Sequence, residues 1–241
     1  MSDQRVIYSS PSNGRYESRD LWAACPKQLI RDEYGAGKFF ETDFMGKDVG
    51  MFTATQATAG TFTVDTGLEG GVAVADCASA TATQGINVQA DGAAFVPAAG
   101  VNLFFEARVK IADTATGPEL FIGLSEIDTA ILDTSAMAST NIAAFYSVTD
   151  DNVLAFATED GGNATTEAGV YTMVEDTYVK LGFKIEGLSK ITPYINGVAY
   201  DDNAITTNIP DTAVVPTFVC QSGGTTDPIL YIDWVKCYQV D

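Results

Sequence analysis

Residues 178–238 constrain the fold of this chain more than any other stretch. Val179, Leu181, Phe183 and Ile185 alternate with Lys180, Lys184 and Glu186, and a period of two places the four apolar side chains on one face of a strand. A second run, Ile191-Thr192-Pro193-Tyr194-Ile195, leads into Asn196-Gly197, a pair suited to the positive φ angles of a tight type I′ hairpin turn. The last run, Ile229-Leu230-Tyr231-Ile232-Asp233-Trp234-Val235-Lys236-Cys237-Tyr238, closes the chain as a further strand. A strand, a hairpin and a closing strand of this kind belong to a layered β-sandwich.

The same pattern runs upstream. Strands are predicted over 39–44, 61–64, 71–75, 86–89, 101–111, 120–125, 142–148, 153–158 and 168–173, with loops rich in Gly, Asp, Asn and Thr between them. About a dozen strands without a long helix predict an all-β fold of two large antiparallel sheets packed face to face. The Ala/Thr clusters at 54–59 and 78–83 read as low complexity, too short to link domains. A sandwich of this size is commonly one domain, so residues 38–241 form the sandwich and residues 1–37 an irregular N-terminal arm. The arm has helical potential between Asp20 and Glu33, interrupted by Pro26. Its Trp22 requires burial, either against the sandwich or inside a neighbouring subunit.

Charge is unevenly spread. Residues 1–50 hold seven basic and eight acidic residues, and the remainder holds six basic against 24 acidic, within a net charge of −19. Such a body repels nucleic acid and anionic membranes. The sharper reading is that the near-neutral arm docks on a partner while the acidic body faces solvent. No apolar run is long enough to cross a bilayer. The N-terminus lacks an export signal, which predicts synthesis in a host cytoplasm. Cys25, Cys77, Cys220 and Cys237 are widely spaced and are expected as reduced, mostly buried thiols.

The strand Phe104-Phe105-Glu106-Ala107-Arg108-Val109, with Phe121-Ile122-Gly123-Leu124, Tyr194-Ile195-Asn196-Gly197-Val198 and Ile232-Asp233-Trp234-Val235, resembles the concanavalin A-like superfamily in its laminin G-like form. That resemblance covers about residues 39–238 and implies a jelly roll, a fold that serves enzymes, lectins and structural proteins alike. A narrower resemblance lies over it. Cys25-Pro26 in an arm, then Gly37-Lys38-Phe39-Phe40-Glu41-Thr42-Asp43-Phe44, and late in the chain Val219-Cys220-Gln221-Ser222-Gly223-Gly224-Thr225-Thr226, are similar to structural proteins of tailed bacteriophages. This likeness implies a place on the virion, commonly decorating the capsid surface.

Enzymatic motifs are sparse. A retaining glycosidase on this fold needs two carboxylates on one strand face, flanking the sugar bond. Glu126-Ile127-Asp128 supplies half of such a motif, but Ala130 and Ile131 stand where the second glutamate belongs, and Asp133 falls out of phase. The chain has no histidine, so no Ser-His-Asp or Cys-His arrangement can form. Asp150-Asp151-Asn152 and Asp201-Asp202-Asn203 are rich in oxygen ligands, yet Asx turns that satisfy their own backbone account for both. No cofactor or metal is expected. Tyr146, Tyr171 and Tyr200 are candidates for sugar stacking and equally suited to ordinary strand packing.

The sequence therefore leads to a non-enzymatic virion protein that decorates or cements a capsid. Its partners would be the major capsid protein and neighbouring copies, in a small homo-oligomer such as a trimer. Arg15, Arg19, Leu21, Trp22, Leu29, Ile30 and Arg31 are the expected contact residues. The alternative is a carbohydrate-binding module or receptor-binding tail component with a glycan ligand.

Overall fold

The computed structural model describes residues 17–33, 35–46, 49–57, 59–65, 67–68, 70–92, 95–112, 117–133, 136–148, 152–224 and 226–240. Two short helices, α1 (Arg19–Trp22) and α2 (Lys27–Asp32), precede the first strand, one on each side of Pro26. Then come β1 (Gly37–Thr42), β2 (Phe52–Ala57), β3 (Thr61–Asp65), β4 (Val72–Asp76) and β5 (Gly85–Ala90). The middle of the chain forms β6 (Asn102–Ala112), β7 (Glu119–Ser125), β8 (Leu132–Asp133), β9 (Ala136–Met137) and β10 (Ile142–Ser147). A long hairpin follows, β11 (Val153–Asp160) with β12 (Asn163–Thr172). The C-terminal group is β13 (Val179–Glu186), β14 (Lys190–Ile195), β15 (Val198–Ala199), β16 (Val215–Gln221) and β17 (Ile229–Val240), with a 3₁₀ turn at Asp201–Asn203.

These strands build two antiparallel sheets. The eight-stranded sheet runs β15-β14-β13-β6-β17-β4-β3, and β1 pairs with the far half of β17. The seven-stranded sheet runs β12-β11-β10-β7-β16-β5-β2, and β8 and β9 form a small separate ladder. This is the two-sheet sandwich the alternation predicts, and the jelly roll that the resemblance implies. Val179, Leu181, Phe183 and Ile185 are buried while Lys180, Lys184 and Glu186 stay half-exposed. Asn196 (φ 50°) and Gly197 (φ 84°) turn the β14–β15 hairpin in the left-handed region, as a type I′ turn requires.

The core lies between the sheets and is threaded by an aromatic row. Phe105 and Phe183 of one sheet stack with centroids 5.0 Å apart, Phe183 meets Phe156 of the other at 5.6 Å, and Phe156 meets Phe145 at 4.9 Å. Offset aromatic contacts of this kind add to the stabilisation from burial alone.

Two strands depart from the sequence expectation. The 54–59 cluster that reads as low complexity lies largely in β2, whose Thr53 and Thr55 face Gln89 and Asn87 of β5. β16 sits between β7 and β5 with all seven residues buried. Proline is disfavoured inside a sheet because it cannot donate to the ladder. Pro216 pairs with Leu124 of β7, and pairing with β5 begins only at Thr217. It therefore stands just beyond the doubly paired part of the strand.

The described part of the arm folds back onto its own sandwich. Leu21, Trp22 and Ile30 pack with Phe104 and Tyr238 on the outer face of the eight-stranded sheet. Trp22 stacks on Phe104 and meets Tyr238 edge-on. Gly182 leaves the socket for Leu21, since a Cβ there would stand 2.7 Å from both Leu21 Cδ2 and the Phe105 carbonyl oxygen. Among the described residues no helix is long and apolar enough to cross a membrane.

Candidate functional site: a neutral cleft on the seven-stranded sheet

The strands of the seven-stranded sheet carry no lysine or arginine, whereas β1, β6, β13, β14 and β17 of the opposite sheet carry Lys38, Arg108, Lys110, Lys180, Lys184, Lys190 and Lys236. Period-two geometry turns Asn87 and Gln89 of β5, Ser125 of β7, and Thr217 and Gln221 of β16 onto the outer face. Amides and hydroxyls thus stand there beside the carboxylate of Glu119, which pairs with Gln221 across β7 and β16.

Three of these amides hold down the segment between β7 and β8. Gln89 Nε2 donates to Ser125 Oγ and to the Glu126 carbonyl, both at 2.9 Å, while its Oε1 accepts the Asp128 N–H at 3.0 Å. Asn87 Nδ2 donates to the Asp128 carbonyl at 2.8 Å. Gln221 Nε2 donates to the carbonyls of Thr83 at 3.3 Å and Leu132 at 3.4 Å. Ile131 and Leu132 complete the docking by burying against Phe121, Ile142, Ala144 and Val219.

Where this segment meets β5, β16 and β2 it leaves a cleft of about 160 Å³, lined by Thr55, Asn87, Ile131, Val219 and Gln221 among others. Asn87 and Gln221 are each only 6% exposed. Their carbonyl oxygens, Asn87 Oδ1 and Gln221 Oε1, have no hydrogen-bond partner among the described residues. Both belong to residues lining this one cleft. Both oxygens are buried, so what the cleft shows a ligand is Thr55, Gln56, Thr83, Thr129 and Ala130, an uncharged polar lining.

The carboxylates singled out from the sequence have other tasks. β7 ends at Ser125, so Glu126 and Asp128 lie in the following loop and off the strand. Glu126 Oε1 accepts from the Thr140 N–H and Oγ1, both at 2.8 Å, and its Oε2 accepts from Asn141 Nδ2 at 3.0 Å. Burial pushes its pKa up, but these bonds outweigh that and hold it below the usual carboxylate range. Asp128 Oδ1 accepts the Ala130 N–H at 3.1 Å in an Asx turn. Glu159 on β11 is shifted upward, by burial first and by Glu126 second.

The expected partner-contact residues divide. Leu21, Trp22 and Ile30 are buried against the chain's own sandwich, which settles the two options for Trp22 in favour of the first. Arg19 and Arg31 are exposed, and Leu29 is 45% exposed. Arg31 Nε donates to Tyr238 Oη at 2.7 Å, and its guanidinium pairs with Glu41. Arg15 and the Asp150-Asp151 pair lie outside the described residues. Asp201 forms an ion pair with Lys190 at 3.2 Å. Among the described residues no group of three or more metal-ligating side chains gathers, and all four cysteines are free. Tyr146 Oη lies 3.5 Å from Thr166 Oγ1, and Tyr171 and Tyr200 pack against the main core.

No family model matches the chain, and no curated protein matches it in sequence. Solved structures do match its fold. The endo-1,3-beta-glucanase from Streptomyces sioyaensis aligns over 87% of this chain and 98% of its own, with TM-score 0.59 and 14% identity. The endo-beta-1,4-glucuronan lyase from the fungus Trichoderma reesei covers 82% of this chain and 94% of its own, with TM-score 0.56 and 13% identity. The Lotus tetragonolobus seed lectin covers 84% of this chain and 98% of its own, with TM-score 0.54 and 10% identity. At these identities the likeness establishes the fold alone. It overturns one expectation from the sequence, that the chain is non-enzymatic. The same sandwich is the scaffold of a glucanase and a lyase, so a missing Glu-x-Asp-x-Glu strand is no ground for excluding enzymatic activity. The chain has a concanavalin A-like jelly-roll sandwich, a fold it shares with proteins that act on or bind glycans.

Proposed function

We propose that this protein binds carbohydrate on the outer face of its seven-stranded sheet. The observation that carries the reading is the cleft lined by Thr55, Gln56, Thr83, Thr129 and Gln221, uncharged and polar, on a sheet whose strands carry no cationic side chain. Sugar hydroxyls would pair with the accessible Thr55, Gln56, Thr83 and Thr129 side chains of its lining. Fold neighbours named as a glucanase, a lyase and a lectin support a glycan in preference to other polar ligands. Calorimetric titration of the full chain with 1,3-β-glucan, mixed-linkage glucan and glucuronan oligosaccharides tests the proposal. Saturable heat with at least one of them is expected, and no binding to any glycan overturns it. Reducing ends and unsaturated products measured in the same samples report hydrolysis or elimination, with Glu159→Gln as the first variant to compare.

A second proposal, virion decoration through a major capsid protein, rests on the arm. There Arg19 and the exposed Leu29 project from helices clamped to the sandwich. Co-purification with capsids in stoichiometric amounts supports it. Capsids that assemble and persist unchanged without the protein count against it.

A further inference from the structure

We infer that Thr83 anchors the ligand of the cleft by hydrogen bonding a sugar hydroxyl, and that its strained backbone is kept for that contact. This deepens the glycan-binding reading and rests on it.

Thr83 stands in the left-handed region at φ 63°. Among the described residues, Phe44, Ala78, Asp176, Asn196 and Asn208 are the other non-glycine residues with positive φ. Asp176, Asn196 and Asn208 tolerate that region through their short polar side chains. Phe44 fills the core, and Ala78 carries only a methyl group. Thr83 alone of this set is β-branched, which makes its conformation a true outlier. Such a backbone persists only where its surroundings enforce it, and residues of this kind cluster at ligand sites.

The enforcement comes from β16 and the residue after it. The Thr83 N–H donates to the Ser222 carbonyl at 3.1 Å, and the Thr83 carbonyl accepts from Gln221 Nε2 at 3.3 Å. The Ser222 N–H in turn donates to the Gln84 carbonyl at 2.9 Å. All three bonds use main-chain atoms of residues 83 and 84. Glycine or asparagine at position 83 would make them equally well and at lower conformational cost. The backbone bonds therefore give no reason for a threonine, and the reason lies in its side chain.

That side chain is half-buried and borders the cleft of about 160 Å³. Its hydroxyl makes no hydrogen bond among the described residues. A hydroxyl both donates and accepts, so it can pair with a sugar hydroxyl in either sense. Thr55, Gln56 and Thr129 line the same cleft without a positive φ. Thr83 is thus the one whose placement costs the fold something.

The test titrates laminaritetraose, cellotetraose and a glucuronan tetrasaccharide into the full chain by calorimetry, with urea unfolding of the same samples. Thr83→Ala and Thr83→Gly, which lack the hydroxyl, should each weaken the tightest of these ligands roughly tenfold, the effect of one hydrogen bond. Thr83→Ser, which keeps it, should bind within about twofold of the wild type. Thr83→Gly and Thr83→Asn, which accept the left-handed region, should raise the urea midpoint by roughly 0.3 M or more. A midpoint that rises in neither overturns the inference, because the threonine would then serve packing. Wild-type affinity in Thr83→Ala and Thr83→Gly also overturns it and leaves the glycan reading standing. If the wild type binds none of the three tetrasaccharides, the glycan reading falls and the inference falls with it.

Discussion

The indole N–H of Trp22 donates to Glu106 Oε2 at 2.7 Å, joining two residues 84 apart in sequence. Glu106 is 1% exposed and also accepts the Ser18 N–H at 2.9 Å. A carboxylate buried this deeply requires donors, and the arm supplies two of them. The arm is therefore bound by hydrogen bonds to Glu106 as well as by the apolar contacts of Leu21 and Ile30.

Trp22→Phe keeps most of the ring packing and removes the donor. It should cost about 1–3 kcal/mol in denaturant unfolding. Trp22→Ala, which also opens a cavity, should cost about 3–5 kcal/mol. In both variants trypsin should cut at Arg19, Lys27 or Arg31 faster than in the wild type while the sandwich stays intact. Unchanged cleavage rates would show that the latch is not what holds the arm.

Phe183 bridges the two sheets through Phe105 and Phe156. Phe183→Ala should destabilise by about 3–5 kcal/mol, read from the urea midpoint. The exposed Val198 on the hairpin should change stability by less than about 0.5 kcal/mol when replaced by Thr.

Glu126 contributes stability in its ionised form, because its folded pKa lies below the ordinary value. That contribution is complete above the unfolded pKa of about 4.3 and is lost as pH falls through the folded value. The stability gap between wild type and Glu126→Gln should be about 1 kcal/mol at pH 7 and shrink towards zero as the pH drops below about 4. Chemical denaturation at a series of pH values measures it. A gap independent of pH would remove the charge from the explanation.

Burial pushes the Cys77 thiol up to about 11 and the Cys25 thiol up to about 12, and it raises Cys220 and Cys237 well above their ordinary value. Thiolate is the reactive form, so at pH 8 the folded protein should react negligibly with Ellman's reagent. All four free cysteines should react once it is unfolded. Rapid native reaction at any of them would contradict the packing described above.

Features set by neighbours in sequence were legible before the structure. The β13 alternation and the Asn196-Gly197 turn are local, and both appear where the pattern puts them. β16 was hidden because burial on both faces erases alternation, and because Pro216 argues against a strand unless the extent of its pairing is known. β2 was hidden by its small residues. The need to bury Trp22 was legible, and Glu106, set between Phe105 and Ala107 in β6, was the available clue to its partner. The cleft was not legible at all. Asn87 and Gln221 look like ordinary polar strand positions until a docked loop takes their nitrogens and buries their oxygens.

The confinement of strand lysines to the eight-stranded sheet has a practical consequence. Amine coupling to a sensor chip or bead through these strand lysines would attach the molecule by that side. In copies held that way the cleft would point away from the support, open to glycans in the flowing phase. Reagents directed at carboxyl groups would have no such preference. A difference in binding capacity between the two kinds of surface would report which sheet the ligand approaches.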